Sequence, residues 1–211
     1  MFRSIFRPYG LVWNVLNTIT DVLGLSLLWL LCCLPVVTVA PATTALYDAV
    51  VHGIRYKEEG LYRRFFRTFR SEWKTGILIT LLWGVVLAVL GYLMAVLLAM
   101  AQAESRYTVL AGIYFGFLLL LIACAAWSIT ILSRFTFSFS ALTSTAMRFT
   151  LGQLPRSLGI ALSTVGLIFF TVHYPIWVFA APACATLVWS VFTEPAFTKY
   201  GGGLKKPEPE E

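Results

Sequence analysis

Apolar residues form four long uncharged runs along the chain. The runs 22–40, 77–101 and 109–133 contain 19, 25 and 25 residues, and the run 158–192 contains 35. A helix needs about 20 residues to cross the roughly 30 Å hydrocarbon core of a bilayer. Each of the first three runs therefore predicts one transmembrane helix. The fourth run would be about 52 Å long as a single helix, which is too long for one crossing.

A proline divides the fourth run near its middle. Pro175 follows His173 and Tyr174, and a proline inside a helix removes one hydrogen bond. We therefore predict a turn at this point, between short spans at 158–172 and 176–192.

The composition agrees with a membrane protein. Hydrophobic residues make up 59% of the chain, charged residues make up 12%, and the mean hydropathy is +0.80. Soluble domains carry about 25% charged residues. We therefore predict an all-α integral membrane protein with about five transmembrane helices, plus amphipathic interfacial helices on the cytoplasmic side. A single membrane domain at 1–200 is followed by a predicted disordered cytoplasmic tail at 201–211.

Cationic residues concentrate on one side of the predicted bundle. With five spans, thirteen of the sixteen Lys and Arg lie in three loops on that side, and the other side holds Arg3, Arg7 and Arg106. The three cationic loops are 41–76, 134–157 and 193–211. Cytoplasmic loops carry an excess of Lys and Arg, so we expect the C-terminus in the cytoplasm and the N-terminus outside. Two alternatives stay open: a signal peptide cleaved near Ala42, and a first run that is re-entrant at Pro35, which leaves the N-terminus cytoplasmic.

A basic and aromatic helix is predicted at 60–74, before the second span. Its cations recur at helical spacing and its aromatic residues occupy a neighbouring face. Such a helix lies in the membrane interface with its cations toward anionic headgroups. It can act as a topology anchor or as a docking surface for a partner. Nucleic-acid binding is disfavoured, because no second basic surface supports it. The candidate contacts in this segment are Arg63, Phe66, Arg67, Phe69, Arg70, Trp73 and Lys74.

The exit of the first span is predicted to be broken. Pro35 and Pro41 bracket a β-branched stretch that a regular helix tolerates poorly, and Pro41 can open a new helix at about 42–54. A second interfacial helix is predicted at 141–156, ending near Pro155. Further candidate contacts are Pro35, Thr38, Pro41, Thr44 and Tyr47 in the exit, and Arg134 after the third span.

The sequence contains no recognisable arrangement of catalytic residues. It has no GxSxG, Gly-rich phosphate loop or HExxH motif, and the predicted spans contain no Asp, Glu, Lys or Arg. The four cysteines lie inside the apolar runs, where they act as small hydrophobic side chains. Two histidines cannot supply a metal cluster. We therefore predict a non-enzymatic protein with no cofactor and no metal. The uncharged spans also argue against a proton- or sodium-driven carrier.

Four segments resemble the bacterial YesL-like membrane proteins. They are 34–47 (LPVVTVAPATTALY), 65–74 (FFRTFRSEWK), 133–135 and 146–158. The resemblance implies a similar size, a layout of about five spans and no catalytic residues. YesL-like proteins tend to be associated with bacterial carbohydrate-uptake systems of the ABC type and with their sensory neighbours.

The resemblance implies an accessory or regulatory membrane subunit of a carbohydrate ABC-type importer in the bacterial cell membrane. Its expected partners are membrane subunits of that importer and a bilayer with anionic headgroups, without nucleic acid. Two other classes stay open: an independent small-molecule carrier or channel, and a membrane component of a sugar-responsive signalling system. A central cavity lined by Tyr, Trp, Ser and Thr side chains would favour a carrier, whereas a flat apolar flank would favour a subunit.

Overall fold

The computed structural model describes residues 11–56, 58, 60–135 and 138–199, and most of these residues are helical. No strand occurs in these residues, so the all-α prediction is confirmed. The first ten residues and the predicted tail lie outside the described part. The helices are α1 (Leu11–Cys32), α2 (Val39–Val50), α3 (Leu61–Ser71), α4 (Trp73–Ala103), α5 (Arg106–Leu132), α6 (Phe139–Gly152), α7 (Leu154–His173) and α8 (Ala181–Lys199). Short 3₁₀ segments at Val36–Thr38 and Pro175–Phe179 precede α2 and α8, and a π-helix at Val51–Arg55 continues α2.

Three of the described helices, α4, α5 and α7, are long and apolar enough to cross a membrane, and α1 contains a shorter apolar stretch at 17–32. The predicted spans 77–101 and 158–172 lie inside α4 and α7, and α5 contains all but the last residue of 109–133. The protein is therefore embedded in the membrane.

The helices α4 and α5 form an antiparallel hairpin joined by only two residues, Glu104 and Ser105. The indole N–H of Trp83 donates to Ser128 Oγ over 3.2 Å, which connects the start of α4 to the end of α5. These bonded polar groups allow the two apolar helices to pack closely without leaving a buried donor unpaired.

The first predicted span, 22–40, is not one helix. The helix α1 ends at Cys32, and the apolar run continues through an exposed turn in which Leu34 is 78% and Val36 is 75% accessible. Pro35 lies in this turn and has no N–H to donate, which agrees with the predicted break. The apolar stretch 17–32 of α1 is about 24 Å long, which is less than the hydrocarbon core of a bilayer.

Two other boundaries differ from the prediction. The turn after His173 is confirmed, but the segment 176–192 begins as 3₁₀ helix and becomes α8 only at Ala181. The predicted helix 141–156 is divided, because α6 ends at Gly152 and Pro155 lies in the first turn of α7. Proline is favoured in a first helical turn, where its missing N–H has no partner to lose.

The helix α2 lies at the centre of the molecule, and every residue from Ala40 to Val50 is buried. Its neighbours are α1, α3, α4, α5 and α8. The N–H of Ala40 donates to Thr80 Oγ1 near the start of α4, at 2.9 Å. Pro41 packs on Gly76, where an added Cβ would lie 2.7 Å from the Pro41 Cβ. The helix predicted at about 42–54 is thus confirmed, and it is internal.

The helices α1 and α2 run antiparallel. Near the turn, the indole N–H of Trp29 donates to Thr43 Oγ1 over 3.0 Å. Further from the turn, Leu25 and Val50 share one buried cluster with Phe65 of α3. After the turn, α2 therefore runs back alongside α1, and α3 packs near the middle of α1 rather than near its N-terminal end.

Candidate docking site around helix α3

A buried carboxylate holds α3 against α2. Asp48 of α2 is 5% exposed and accepts hydrogen bonds from two α3 side chains, Arg64 Nε at 3.0 Å and Thr68 Oγ1 at 2.7 Å. His52 Nδ1 lies 3.0 Å from Asp48 Oδ1, and Arg64 also donates to Glu58 Oε2 over 2.8 Å. Arg64 and Thr68 are one helical turn apart, so both bonds fix the same face of α3 toward α2.

The pKa of Asp48 lies below its ordinary value of 3.8. Burial alone raises this pKa, because it disfavours the charged form. The hydrogen bond from His52, the charge of Arg64 and the hydrogen bond from Thr68 together outweigh the effect of burial. Asp48 is therefore charged at neutral pH and forms a buried ion pair with Arg64.

Apolar contacts complete the docking of α3. Phe65 is fully buried in a cluster with Leu25 and Val50. Its ring stacks on Phe69 with the centroids 6.2 Å apart, and Phe69 packs edge-on against Trp73 at 5.2 Å. One side of α3 is thus attached to protein rather than to lipid.

The other side of α3 is cationic and exposed. We call Arg63, Arg67 and Arg70 the basic face of α3; all three are exposed, and none forms an ion pair with a carboxylate of the described residues. Phe66 lies beside them and is 54% exposed. The predicted helix 60–74 is broken at Glu72, so Lys74 and Trp73 belong to the start of α4, where both are exposed.

A second buried carboxylate, Glu194, connects α8 to α2 and to the segment after α5. It forms an ion pair with Arg134, and the side chains of this pair are 6% and 7% exposed. It also accepts hydrogen bonds from the hydroxyls of Tyr47 at 3.1 Å and Tyr56 at 3.0 Å. The Tyr47 hydroxyl lies 2.5 Å from Thr193 Oγ1. Burial raises the pKa of Tyr47, and the charge of Glu194 raises it further.

Most of the contacts predicted outside 60–74 are internal, which corrects their assignment to a partner surface. Pro35 is exposed, but the others are packed inside the bundle or bonded there: Thr38, Pro41, Thr44, Tyr47 and Arg134. The reason is the central position of α2, which turns the exit of the first apolar run into a core helix. These side chains hold helices together and do not form a docking surface.

An apolar cavity of about 520 Å³ lies between α1, α2, α7 and α8. No charged side chain lines it. Its tryptophans are bonded to its own threonines: Trp29 donates to Thr43 and Trp189 to Thr164, each over 3.0 Å. The Thr171 hydroxyl donates to a backbone carbonyl of its own helix at 2.8 Å. The polar groups of the lining are therefore engaged within the protein, which leaves few partners for the hydroxyls of a sugar.

Comparison with known families places the site in a recognised region. Residues 22–94 match the model of a family described as a protein of unknown function, DUF624. The match covers 73 of the 211 residues, and we call residues 22–94 the DUF624 region. This match confirms the resemblance to the YesL-like proteins, which belong to that family. No curated protein and no solved structure matches the chain.

The DUF624 region contains α2, α3 and the greater part of α4. It therefore includes the cluster around Asp48 and the basic face of α3. Arg134 and Glu194 lie beyond the DUF624 region, although Tyr47, which donates a hydrogen bond to Glu194, lies within it.

Sequence reasoning missed Asp48, Arg64 and Glu194 as site residues. Both carboxylates lie just outside the predicted spans, so a count of charges within the spans does not find them. Each is nevertheless an isolated acid in an apolar stretch, and a carboxylate in such a position is rarely buried without a partner. The isolation of each acid within an apolar stretch could therefore have indicated both residues from the sequence. Arg64 could not have been distinguished from the other arginines of α3 without the fold.

Proposed function

We propose that this protein is a non-enzymatic accessory or regulatory membrane subunit that associates with a carbohydrate ABC-type importer through the basic face of α3. The observation that carries the proposal is the docking of α3: buried Asp48 binds Arg64 and Thr68, while the basic face stays exposed. The class of importer comes from the resemblance to YesL-like proteins. The DUF624 match supports the family and assigns no role.

The fixed orientation of α3 favours a docking surface over a simple membrane anchor. An anchor needs only cations near headgroups and aromatic side chains in lipid. Here Phe65 packs in a buried cluster with residues of α1 and α2, and Arg64 pairs with Asp48 of α2. These contacts fix the rotation of α3 about its own axis. Arginine forms paired hydrogen bonds with carboxylates. We therefore expect the partner to present an acidic surface to the basic face of α3.

The apolar cavity supports a subunit more than a carrier. A carrier for sugars needs exposed donors and acceptors that can replace water around the sugar hydroxyls. The threonine and tryptophan side chains around this cavity are bonded to each other or to backbone carbonyls. The cavity therefore suits acyl chains better than a polar solute.

The orientation of the chain is part of the proposal. The C-terminus is placed in the cytoplasm by the excess of Lys and Arg in the loops on that side. The charge count with five spans places the N-terminus outside. The antiparallel pairing of α1 and α2 instead favours the re-entrant arrangement at Pro35, which places both termini in the cytoplasm. In that arrangement Arg3 and Arg7 join the other thirteen cations, and Arg106 alone is outside.

Affinity purification of the full-length protein tests the proposed partner. The tagged protein would be expressed in its own bacterium, extracted in mild detergent and analysed by mass spectrometry. We expect membrane subunits of a carbohydrate ABC-type importer with the wild type, and at least tenfold less with Arg63→Gln, Arg67→Gln and Arg70→Gln combined. A tenfold loss corresponds to about 1.4 kcal/mol. The control is Arg106→Gln, whose exposed side chain pairs with Glu104 and lies over the Tyr107 ring, away from α3.

Three results would change the proposal. Docking through the basic face of α3 would be contradicted if importer subunits were absent from the wild-type preparation. It would also be contradicted if the triple variant recovered them in equal amounts. Recovery of a sensor kinase instead would favour the signalling role. Saturable uptake of labelled mono- or oligosaccharides by liposomes that contain only this protein, above empty liposomes, would favour a carrier.

A further inference from the structure

A second candidate site lies at the elbow between α6 and α7. A cavity of about 370 Å³ is lined there by Thr145, Arg148, Phe149, Gly152 and Gln153. Arg148 is exposed and forms no ion pair or hydrogen bond with another described side chain. Gln153 is only 9% exposed. A free cation thus lies beside a buried amide.

The side-chain amide of Gln153 has one buried donor without a hydrogen-bond acceptor among the described residues. Its Oε1 accepts a hydrogen bond from the Arg156 guanidinium at 2.5 Å. Its Nε2 has no partner within the described part of the chain. Leaving a buried amide donor unpaired is unfavourable. An acceptor oxygen in the cavity would complete its hydrogen bonding.

The elbow carries positive charge that no acid of α6 or α7 balances. Arg148 and Arg156 flank it, and α7 begins at Leu154, so the N-terminal end of this helix also favours an anion. The sequence contains no Asp or Glu between Glu104 and Glu194. An anionic ligand with acceptor oxygens therefore fits the elbow.

Exposed apolar side chains border the elbow. They are Met147, Leu151, Leu154 and Leu158, which are between 44% and 59% exposed. Met147 and Leu151 lie at the end of α6, and Leu154 and Leu158 lie at the start of α7, one of the helices long and apolar enough to cross the membrane. A ligand that reaches both the cations and these side chains needs an anionic group next to an apolar chain.

We infer that the elbow binds the phosphate of an anionic phospholipid headgroup. Arg148 and Gln153 Nε2 donate hydrogen bonds to the phosphate oxygens, and the acyl chains lie along Met147, Leu151 and Leu154. This site uses helices other than α3 and is independent of the proposed importer partner.

Thermal unfolding of the full-length protein in a non-ionic detergent tests this site. Phosphatidylglycerol, phosphatidylcholine and inorganic phosphate would be titrated separately, with Arg148→Gln, Gln153→Leu and the control Arg106→Gln, whose side chain is exposed and lies outside both candidate sites. We expect phosphatidylglycerol to raise the unfolding temperature of the wild type and of Arg106→Gln. For Arg148→Gln and Gln153→Leu, the apparent affinity should fall about fivefold, which is about 1 kcal/mol. Phosphatidylcholine and inorganic phosphate should have smaller effects.

Each contrary result identifies a different error. An equal response of Arg148→Gln and the wild type would overturn the site, and because Arg148 is exposed, this comparison stands even if Gln153→Leu fails to fold. Equal losses with Arg106→Gln would show a general effect of surface charge. Equal stabilisation by inorganic phosphate would identify a site for free phosphate, and equal stabilisation by phosphatidylcholine would exclude recognition of an anionic headgroup.

Discussion

Two neighbouring residues of α2 connect this helix to two different carboxylate clusters. Asp48 binds Arg64 and Thr68 of α3, whereas the Tyr47 hydroxyl donates to Glu194 of α8. Asp48 and Glu194 are each 5% exposed, and every acid at this depth needs several donors to offset the loss of water. The two clusters therefore fix how α2 is oriented within the bundle.

Asp48→Asn is expected to lower the free energy of unfolding by about 3 kcal/mol near neutral pH, because Arg64 and His52 lose their buried charged partner and Arg64 keeps only the partly exposed Glu58 among the described residues. The pKa of Asp48 is lowered in the folded protein. Its stabilisation is therefore complete above the ordinary pKa near 4 and is lost as the pH falls through the lower folded-state pKa. Unfolding in detergent between pH 7 and pH 3 measures the difference between wild type and variant.

That difference should be constant above about pH 5 and should shrink in acid. Glu104→Gln is the control, because its pair with Arg106 is exposed and its removal should cost less than about 1 kcal/mol. A difference between Asp48→Asn and the wild type that stays the same down to pH 3 would show that Asp48 is not the group being titrated.

The buried pair of Arg134 and Glu194 is expected to show strong coupling. Arg134→Met or Glu194→Leu alone leaves the other charged group buried without its ion partner, and each should cost about 3 kcal/mol or more. The double variant should cost clearly less than the sum, because neither charge remains. A double-mutant cycle from unfolding in detergent measures this coupling. Additive effects would place the pair in a well-hydrated environment.

Between elements, α2 and α4 approach each other closely at Gly76. Gly76 has no side chain, and the ring of Pro41 occupies the space where a Cβ would be. The neighbouring bond from the Ala40 N–H to Thr80 fixes the same crossing point. The position of α2 beside α4 thus depends on one residue without a side chain.

Gly76→Ala is expected to destabilise the protein by about 1–3 kcal/mol through this overpacking. The new Cβ would lie 2.7 Å from Pro41 Cβ and 3.0 Å from Pro41 Cα, so backbone as well as ring must move. Gly84→Ala is the matched control on α4, because nothing lies within 4 Å of its added Cβ. Alanine favours a helix over glycine, so the control should be neutral or stabilised by up to about 1 kcal/mol. Equal effects on unfolding temperature would refute the contact.

The sequence predicts some elements well and others poorly, for a physical reason. The runs inside α4, α5 and α7 agree with observed helices because lipid exposure requires long apolar stretches. The run 22–40 is equally apolar, but it contains a change of direction. Hydrophobicity reports the surroundings of a residue and not the course of the backbone. Pro35 was the available sign of the turn.

For the whole molecule, the course of α1 and α2 decides the side of the membrane on which the N-terminus lies. We predict that reporter fusions at Gly10 and in the segment after Tyr200 will both report the cytoplasm. The reasons are the antiparallel course of α1 and α2 and the apolar turn around Val36, which lacks the polar residues expected at a water-facing loop. A reporter inserted between Glu104 and Ser105 serves as the control and should lie outside. An N-terminal reporter outside would restore the five-span arrangement.

Only part of the candidate docking site can be predicted from the sequence. The basic segment 60–74 was found from its helical spacing, and its exposed arginines agree with that prediction. Which arginine points inward depends on Asp48, and the position of Asp48 depends on the burial of α2 by α4, α5 and α8. Contacts between residues far apart in the chain, such as Tyr47 with Thr193, leave no local pattern.

The central position of α2 has a consequence for the order in which the helices can pack during synthesis. The ribosome makes α2 early, yet Glu194, which accepts the hydrogen bond of Tyr47, is 147 residues further along the chain. Until α8 has been made, Tyr47 and Arg134 lack their partner Glu194, and no helix covers the side of α2 that later packs on α8. We therefore expect the earliest helices to reach their final packing only after the last helix has been made. Premature termination before α8 would expose α2 and make the fragment a substrate for membrane proteases.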